Sequence, residues 1–315
     1  MPKAISYTEN VPRDSLQIKR LQLRLAFSTF VERSLLHGVT VMRESRNTRA
    51  NEKADDGEYI TSLARGLAVL RAFSKEHPEM TLSQVAGATR LSAATARRCL
   101  HTLVDLGYAA KRGKLFLLRP AVVSFASAYL ESMNLEQIVR PYLQEVRDKT
   151  GDSSSLAVLS ETEILYLVHV STNRMVRVPC TVGTRFPAYP TSLGRVLLAY
   201  QSKDTIDDYF RKARLTALTE KTVTSKSALR TILTKVREER YASIEDELDY
   251  GLVSVAVPIF NVDNQIIAAV NCSTSTARAG RNDMTSTRVP VLREAARSIE
   301  IELRRYPMLA HSMAL

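Results

Sequence analysis

Between Ser62 and Leu118 the apolar positions recur first with a helical period and then with that of strands. From Ser62 to Ser74, Leu63, Leu67, Leu70 and Phe73 share one face, which predicts a supporting helix. Thr81 and Gln84 have capping-box spacing, so a second helix opens there, and Ser92 supplies another N-cap a few residues later. Beyond Ser92 an inward stripe runs through Ala96, Cys99, Leu100, Leu103 and Val104, and Gly107 ends it as a C′ glycine does. Tyr108-Ala109-Ala110 and Leu115-Phe116-Leu117-Leu118 then flank the turn Lys111-Arg112-Gly113-Lys114, which reads as a hairpin. Three short helices followed by a basic hairpin is the order of a winged helix-turn-helix.

The outward-facing residues have the chemistry that such a unit needs. Thr81, Ser83, Ser92, Ala93, Thr95, Arg97, Arg98 and His101 lie at or on the two helices of the turn, and Lys111, Arg112 and Lys114 at the hairpin. Arginine can donate two bonds to a guanine edge, while hydroxyls and cations hold phosphates. These are the candidate DNA-binding residues; the alternative is an amphipathic helical domain with a solvated basic face. Charge separates the two readings. The chain carries 44 Lys and Arg against 33 Asp and Glu, a net +11. Residues 59–119 hold 10 cations and 3 anions, whereas residues 120–315 hold 24 and 22. An excess confined to one module is the electrostatic footprint of a polyanion site, here double-stranded DNA.

After the hairpin, Pro120 opens a broad apolar stripe of Val122, Val123, Phe125, Ala126, Tyr129, Leu130 and Met133, a linker helix that needs a partner. A second subunit or the chain's own C-terminal domain can cover it. Leu135 to Thr150 reads as an amphipathic helix closed by Gly151. Short β-branched runs follow at Ser155–Leu159, Ile164–Val170 and Met175–Cys180, then a loop with Pro187 and Pro190 and a helix from Ser192 to Tyr200. Helices near Thr205–Arg211 and Ser227–Glu239, strands Leu252–Phe260 and Gln265–Ser273, and a helix Arg288–Arg304 complete the pattern. It predicts an α+β sensor-like domain with its sheet covered on one face.

Expected boundaries are a disordered extension at 1–58, the DNA-binding domain at 59–119, the linker helix at 120–133, an effector-binding domain at 134–306 and a tail at 307–315. Met42 precedes the polar run Glu44–Glu58 and is an alternative start. No apolar run approaches the ~20 residues of a membrane span. The N-terminal patch is interrupted by Lys19, Arg20 and Arg24, unlike a signal peptide. Cys99, Cys180 and Cys272 lack disulfide or zinc spacing and read as small buried residues of a reducing cytoplasm. No metal or cofactor site is indicated.

From Tyr59 to Arg305 the chain resembles the IclR family of transcriptional regulators. The resemblance rests on SLARGLAVLRAF at Ser62–Phe73, TRLSAATARRCLHTLVDLGY at Thr89–Tyr108, YPTSLGRVLLA at Tyr189–Ala199 and DELDYGLVSVAVPIFN at Asp246–Asn261. With AAVNCSTSTAR at Ala268–Arg278 it is most similar to the branch governing β-ketoadipate and other aromatic-acid catabolism. That implies an N-terminal winged helix-turn-helix joined by a linker helix to a GAF-like α/β effector-binding domain. It also implies a homodimer or homotetramer on a palindromic operator, answering to a small carboxylate and, if it activates, contacting RNA polymerase.

Matching motifs place the effector pocket at Ser192 and Leu193, at Ser254, and at Asn271 and Ser273. The start of the Ser192 helix offers backbone donors to a carboxylate, and Asn271 and Ser273, two apart on a strand, share a face. Arg177 or Arg195 can add a charge-assisted bond. The chain departs from the family's acidic position near Ile244 and Glu245.

An enzyme built on Ser192, His169 and Asp246 or Asp249 lacks a GxSxG elbow, and no HExxH, Walker loop or GxGxxG occurs, so no catalytic residue is assigned. A ligand-independent DNA-coating protein leaves the C-terminal domain without a role. A regulator of a non-aromatic pathway is the remaining alternative. Candidate effectors are protocatechuate, 4-hydroxybenzoate, muconate and β-ketoadipate.

Overall fold

The structure is a computed structural model that describes residues 59–74, 77–172 and 180–313. The expected extension at 1–58, Arg177 and all but the last residue of the expected strand Met175–Cys180 lie outside the described residues. The chain divides into two compact units between Leu118 and Arg119.

In the first unit, α1 spans Thr61–Leu70, β1 Glu79–Thr81, α2 Leu82–Thr89, α3 Ala93–Asp105, β2 Ala109–Arg112 and β3 Leu115–Leu118. Thr81 caps α2 in a reciprocal capping box with Gln84, and the Ser92 hydroxyl accepts the Thr95 N–H at the head of α3. Between them Arg90 takes the left-handed conformation, at φ 57°, and makes the tight turn of the helix pair. Ala96, Leu100 and Leu103 of α3 are buried with Val69, Ala72, Met80, Val85, Ala109 and Phe116. The three strands form an antiparallel sheet in the order β1-β3-β2, so the hairpin is a wing braced by β1.

The expected inward face of α1 is corrected in its first half. Leu63 and Leu67 are 59% and 48% exposed, while Leu70 and Phe73 of the same face pack against the core beside buried Val69 and Ala72. Only its C-terminal end is covered, so the predicted arc meets the core at Leu70 and Phe73 and not at Leu63 and Leu67.

In the second unit a 3-10 turn at Pro120–Val122 leads into α4, Val123–Met133, on which Val123 and Phe125 are exposed. Then come α5 (Leu135–Thr150), β4 (Ser153–Ser160), β5 (Glu163–Val170), β6 (Arg185–Pro187) and α6 (Ser192–Ala199). They are followed by α7 (Lys203–Lys212), α8 (Lys226–Glu239), β7 (Ala242–Glu245), β8 (Leu252–Phe260), β9 (Ile266–Ser275), α9 (Val289–Leu303) and α10 (Pro307–Met313). The strands make one antiparallel sheet in the order β6-β5-β4-β9-β8-β7.

Contrary to expectation, the sheet is covered on both faces. Val253, Val255, Val257 and Ile259 of β8 face α5, α9 and α10, while Ala256, Ala157 and Ala269 face α6, α7 and α8. Small residues opposite large ones let α6 lie close against the sheet, and every residue of α6 is buried. Residues 307–313, expected as part of a tail, form α10, with Leu309 and Met313 buried in the larger core. Among the described residues no helix is long and apolar enough to cross a membrane.

Candidate functional site

The first candidate surface is the face of α3 opposite Ala96, Leu100 and Leu103. Ser83, Ser92, Ala93, Arg97 and Arg98 are exposed, and so are Lys111, Arg112 and Lys114 on the wing. Arg112 lies 3.5 Å from Glu79 and Lys111 stands 5.8 Å over the Phe116 ring, contacts that leave both side chains at the surface. Thr81 and Thr95 are half-buried and serve the caps. His101 is half-buried, and its ring meets Phe116 edge-on at 6.2 Å, which ties α3 to the wing.

The second candidate is a cavity between the first turn of α6 and one end of the sheet, lined by all five residues expected there: Ser192, Leu193, Ser254, Asn271 and Ser273. Strand register brings them together. Asn271 pairs across the ladder with Ser155, and Ser273 with both Ser153 and Ser254, so three strands contribute polar groups on one face. The same face turns apolar further along, at Ala157, Ala256 and Ala269. On β5 the ladder shifts: Leu156 pairs with Val168 and Ala157 with Tyr166, leaving Leu167 as the extra residue. That bulge resets the alternation, so Tyr166 and His169, three apart, both line the cavity.

The polar groups form a chain. Ser192 and Ser254 hydroxyls lie 2.8 Å apart, Asn271 Nδ2 donates to Ser254 Oγ at 3.2 Å, and the Ser254 hydroxyl donates to the Cys272 carbonyl at 3.1 Å. Ser155 Oγ and His169 Nδ1 are 2.9 Å apart. Asn271 is 4% exposed, and its Oδ1 has no partner. A buried acceptor left unpaired costs about 1–3 kcal/mol, so it points to a donor arriving from outside. Thr191 caps α6 by accepting the Gly194 N–H at 3.0 Å. The N–H groups of Ser192 and Leu193 precede the first intrahelical bonds and are the orphan donors of the helix start.

Burial lowers the His169 pKa below its usual value, with Arg140 adding to the effect. Burial pushes the Cys180 thiol up to about 12, against hydrogen bonds from Thr184 and Tyr166. The cavity is only about 40 Å³, so a ring-sized ligand requires the walls to part. Among the described residues no group of three or more His, Cys, Asp or Glu is placed to hold a metal ion.

Comparison with known proteins matches each unit to a family. Residues 62–113 match the IclR helix-turn-helix domain, and residues 127–301 match the bacterial transcriptional regulator IclR C-terminal family. The chain belongs to the IclR family.

This IclR-family regulator is similar to the Pca regulon regulatory protein of Pseudomonas putida, with 37% identity covering 78% of the chain and 84% of that protein. It is 32% identical to the p-hydroxybenzoate hydroxylase transcriptional activator of Acinetobacter baylyi, over 79% of the chain and 94% of the relative. An IclR homolog from Microbacterium hydrocarbonoxydans, solved in complex with 4-hydroxybenzoate, matches with a TM-score of 0.64 and 26% identity, covering 78% of this chain and 99% of that one. The family and these relatives are transcriptional regulators, not enzymes.

Within this regulator Arg195 is corrected from a candidate ligand to a structural residue. It is 3% exposed, its guanidinium makes two bonds to Glu247, one of them 2.7 Å, and its Nε donates to the Tyr189 carbonyl at 2.9 Å. Glu247 is itself only 4% exposed. Ile244 lines the cavity, and Glu245 accepts the Arg281 N–H at 2.8 Å. Sequence reasoning missed Ser153, Ser155, Tyr166 and His169. The run Ser153-Ser154-Ser155 was a signal for a polar strand end; the bulge at Leu167 had none.

Proposed function

We propose that this regulator binds a palindromic operator through α3 and the wing, as a homodimer or homotetramer, and that a small carboxylate in the α6 cavity changes operator binding or promoter output. The effector is an aromatic acid or a ring-cleavage product. The observation that carries this reading is the convergence of Ser192, Leu193, Ser254, Asn271 and Ser273 on one cavity that holds orphan helix-start donors and an unpartnered Asn271 oxygen. A carboxylate suits the first; a ligand hydroxyl suits the second. Both groups occur in 4-hydroxybenzoate and protocatechuate. The regulatory roles for which the Pseudomonas and Acinetobacter relatives are named and the ligand of the Microbacterium homolog support the same chemistry. Where the operator lies relative to the promoter decides whether RNA polymerase is recruited or blocked.

Thermal unfolding against protocatechuate, 4-hydroxybenzoate, muconate and β-ketoadipate tests the ligand. A selective effector at 100 times its Kd is expected to stabilise the folded chain by about 2.7 kcal/mol. No shift with any of them would refute the aromatic-acid reading. On the DNA side, Arg98→Ala is expected to weaken operator binding by about 1–3 kcal/mol while leaving random DNA almost unaffected, as read by fluorescence anisotropy. Equal losses on both would make Arg98 a phosphate contact.

A further inference from the structure

Among the described residues the cavity is lined by no Arg, Lys, Asp or Glu. A buried carboxylate without a cation is costly, and helix-start donors supply only a partial charge. One described lining residue can become a cation. We propose that the cavity takes up its effector together with a proton, His169 becoming the counter-charge of the bound carboxylate. This rests on the cavity being the effector site.

The local geometry accommodates both charge states. In the neutral tautomer that carries its proton on Nε2 the Ser155 hydroxyl donates to Nδ1; after protonation Nδ1–H donates to the same oxygen across the same 2.9 Å, by rotation of one hydrogen. Among the described residues the titratable and charged groups around His169 are few. On α5 stands Arg140, ion-paired with Glu136; on β5 stands Tyr166; beyond β5 stands Cys180, whose thiol stays protonated near neutrality. From β4 and β9 come Ser155 and Asn271, which do not titrate.

In the free protein burial, and with it Arg140, disfavours the imidazolium and lowers the His169 pKa. An anion closed into the same low-dielectric cavity acts the other way. Its entry raises the histidine's pKa, so affinity is highest on the acid side and falls as pH rises from the free-state value toward the bound-state value. A ligand with two carboxylates leaves its second charge uncompensated by any described group, which favours hydroxybenzoates over muconate.

Titration calorimetry of the full-length protein with 4-hydroxybenzoate, at pH 7 in two buffers of different ionisation heat and then from about pH 6 to 8.5, tests the linkage. The expected result is uptake approaching one proton and affinity falling by up to ~tenfold per pH unit. His169→Gln, which keeps a partner for Ser155, is expected to bind more weakly, with flat pH dependence and no uptake. Flat affinity in the wild type, or uptake that persists in His169→Gln, overturns the proposal. If wild type binds neither 4-hydroxybenzoate nor protocatechuate at any pH, the effector reading fails and this inference falls with it; if it binds without proton uptake, only this inference fails.

Discussion

Glu247→Ala is expected to destabilise the C-terminal unit by about 3–5 kcal/mol, because it strands a buried arginine. Helix α6 is buried along its whole length against the sheet and α8, and Arg195, 3% exposed, lies with Glu247 at the floor of a pocket that Lys221 and Arg281 also line. Its charge is met inside the fold by both oxygens of Glu247 and by the Tyr189 carbonyl. Glu247 is held in turn by Val223 N–H at 3.4 Å, and its carbonyl accepts the Thr222 hydroxyl at 2.7 Å. The double replacement Arg195→Met with Glu247→Leu removes both charges and is expected to cost far less than the single change. The check is the denaturant midpoint, with hydrogen exchange localising the loss to α6 and β8. A single variant within about 0.5 kcal/mol of wild type would mean that water reaches Arg195.

Gly194→Ala is the second large effect, expected at about 3 kcal/mol, the upper part of the overpacking range. A Cβ built on Gly194 would overlap the carbonyl and Cα of Ala188. That neighbour is backbone, pinned by the Thr191 hydroxyl, which donates to the Ala188 carbonyl at 3.0 Å. Relief therefore requires the first turn of α6 to move, and the turn carries Ser192 and Leu193. Loss of stability and loss of effector binding should appear together, in unfolding and calorimetry on one preparation. A variant with wild-type values for both would show that the Ala188 loop yields freely.

These two sites mark where sequence reading stopped. The DNA-binding unit was readable because its signals are local: caps at Thr81 and Ser92, the Ala96 to Val104 stripe, and a turn with Gly113 at φ 61°. Leu63 and Leu67 misled because a helical period shows which residues share a face but not how much of that face is covered. Strands β1, β6 and β7 have three or four residues, too few for an alternation to be distinguished from a loop. The five cavity residues came from motif similarity, and their convergence depends on strand register. Arg195 and Glu247 lie 52 positions apart, and nothing in either motif alone states that one neutralises the other. His169 reached the cavity through the bulge at Leu167, which period-two reading excludes.

The most direct test of the account is operator affinity of the full-length protein with and without saturating effector, together with transcript output from the same promoter. A duplex selected from random sequence serves as operator, and 4-hydroxybenzoate and protocatechuate serve as ligands. The account predicts a several-fold change in affinity or output, equivalent to a coupling of ~1–3 kcal/mol, that is lost when Asn271 is replaced by Leu. A bound ligand that leaves affinity, footprint and output unchanged would contradict it.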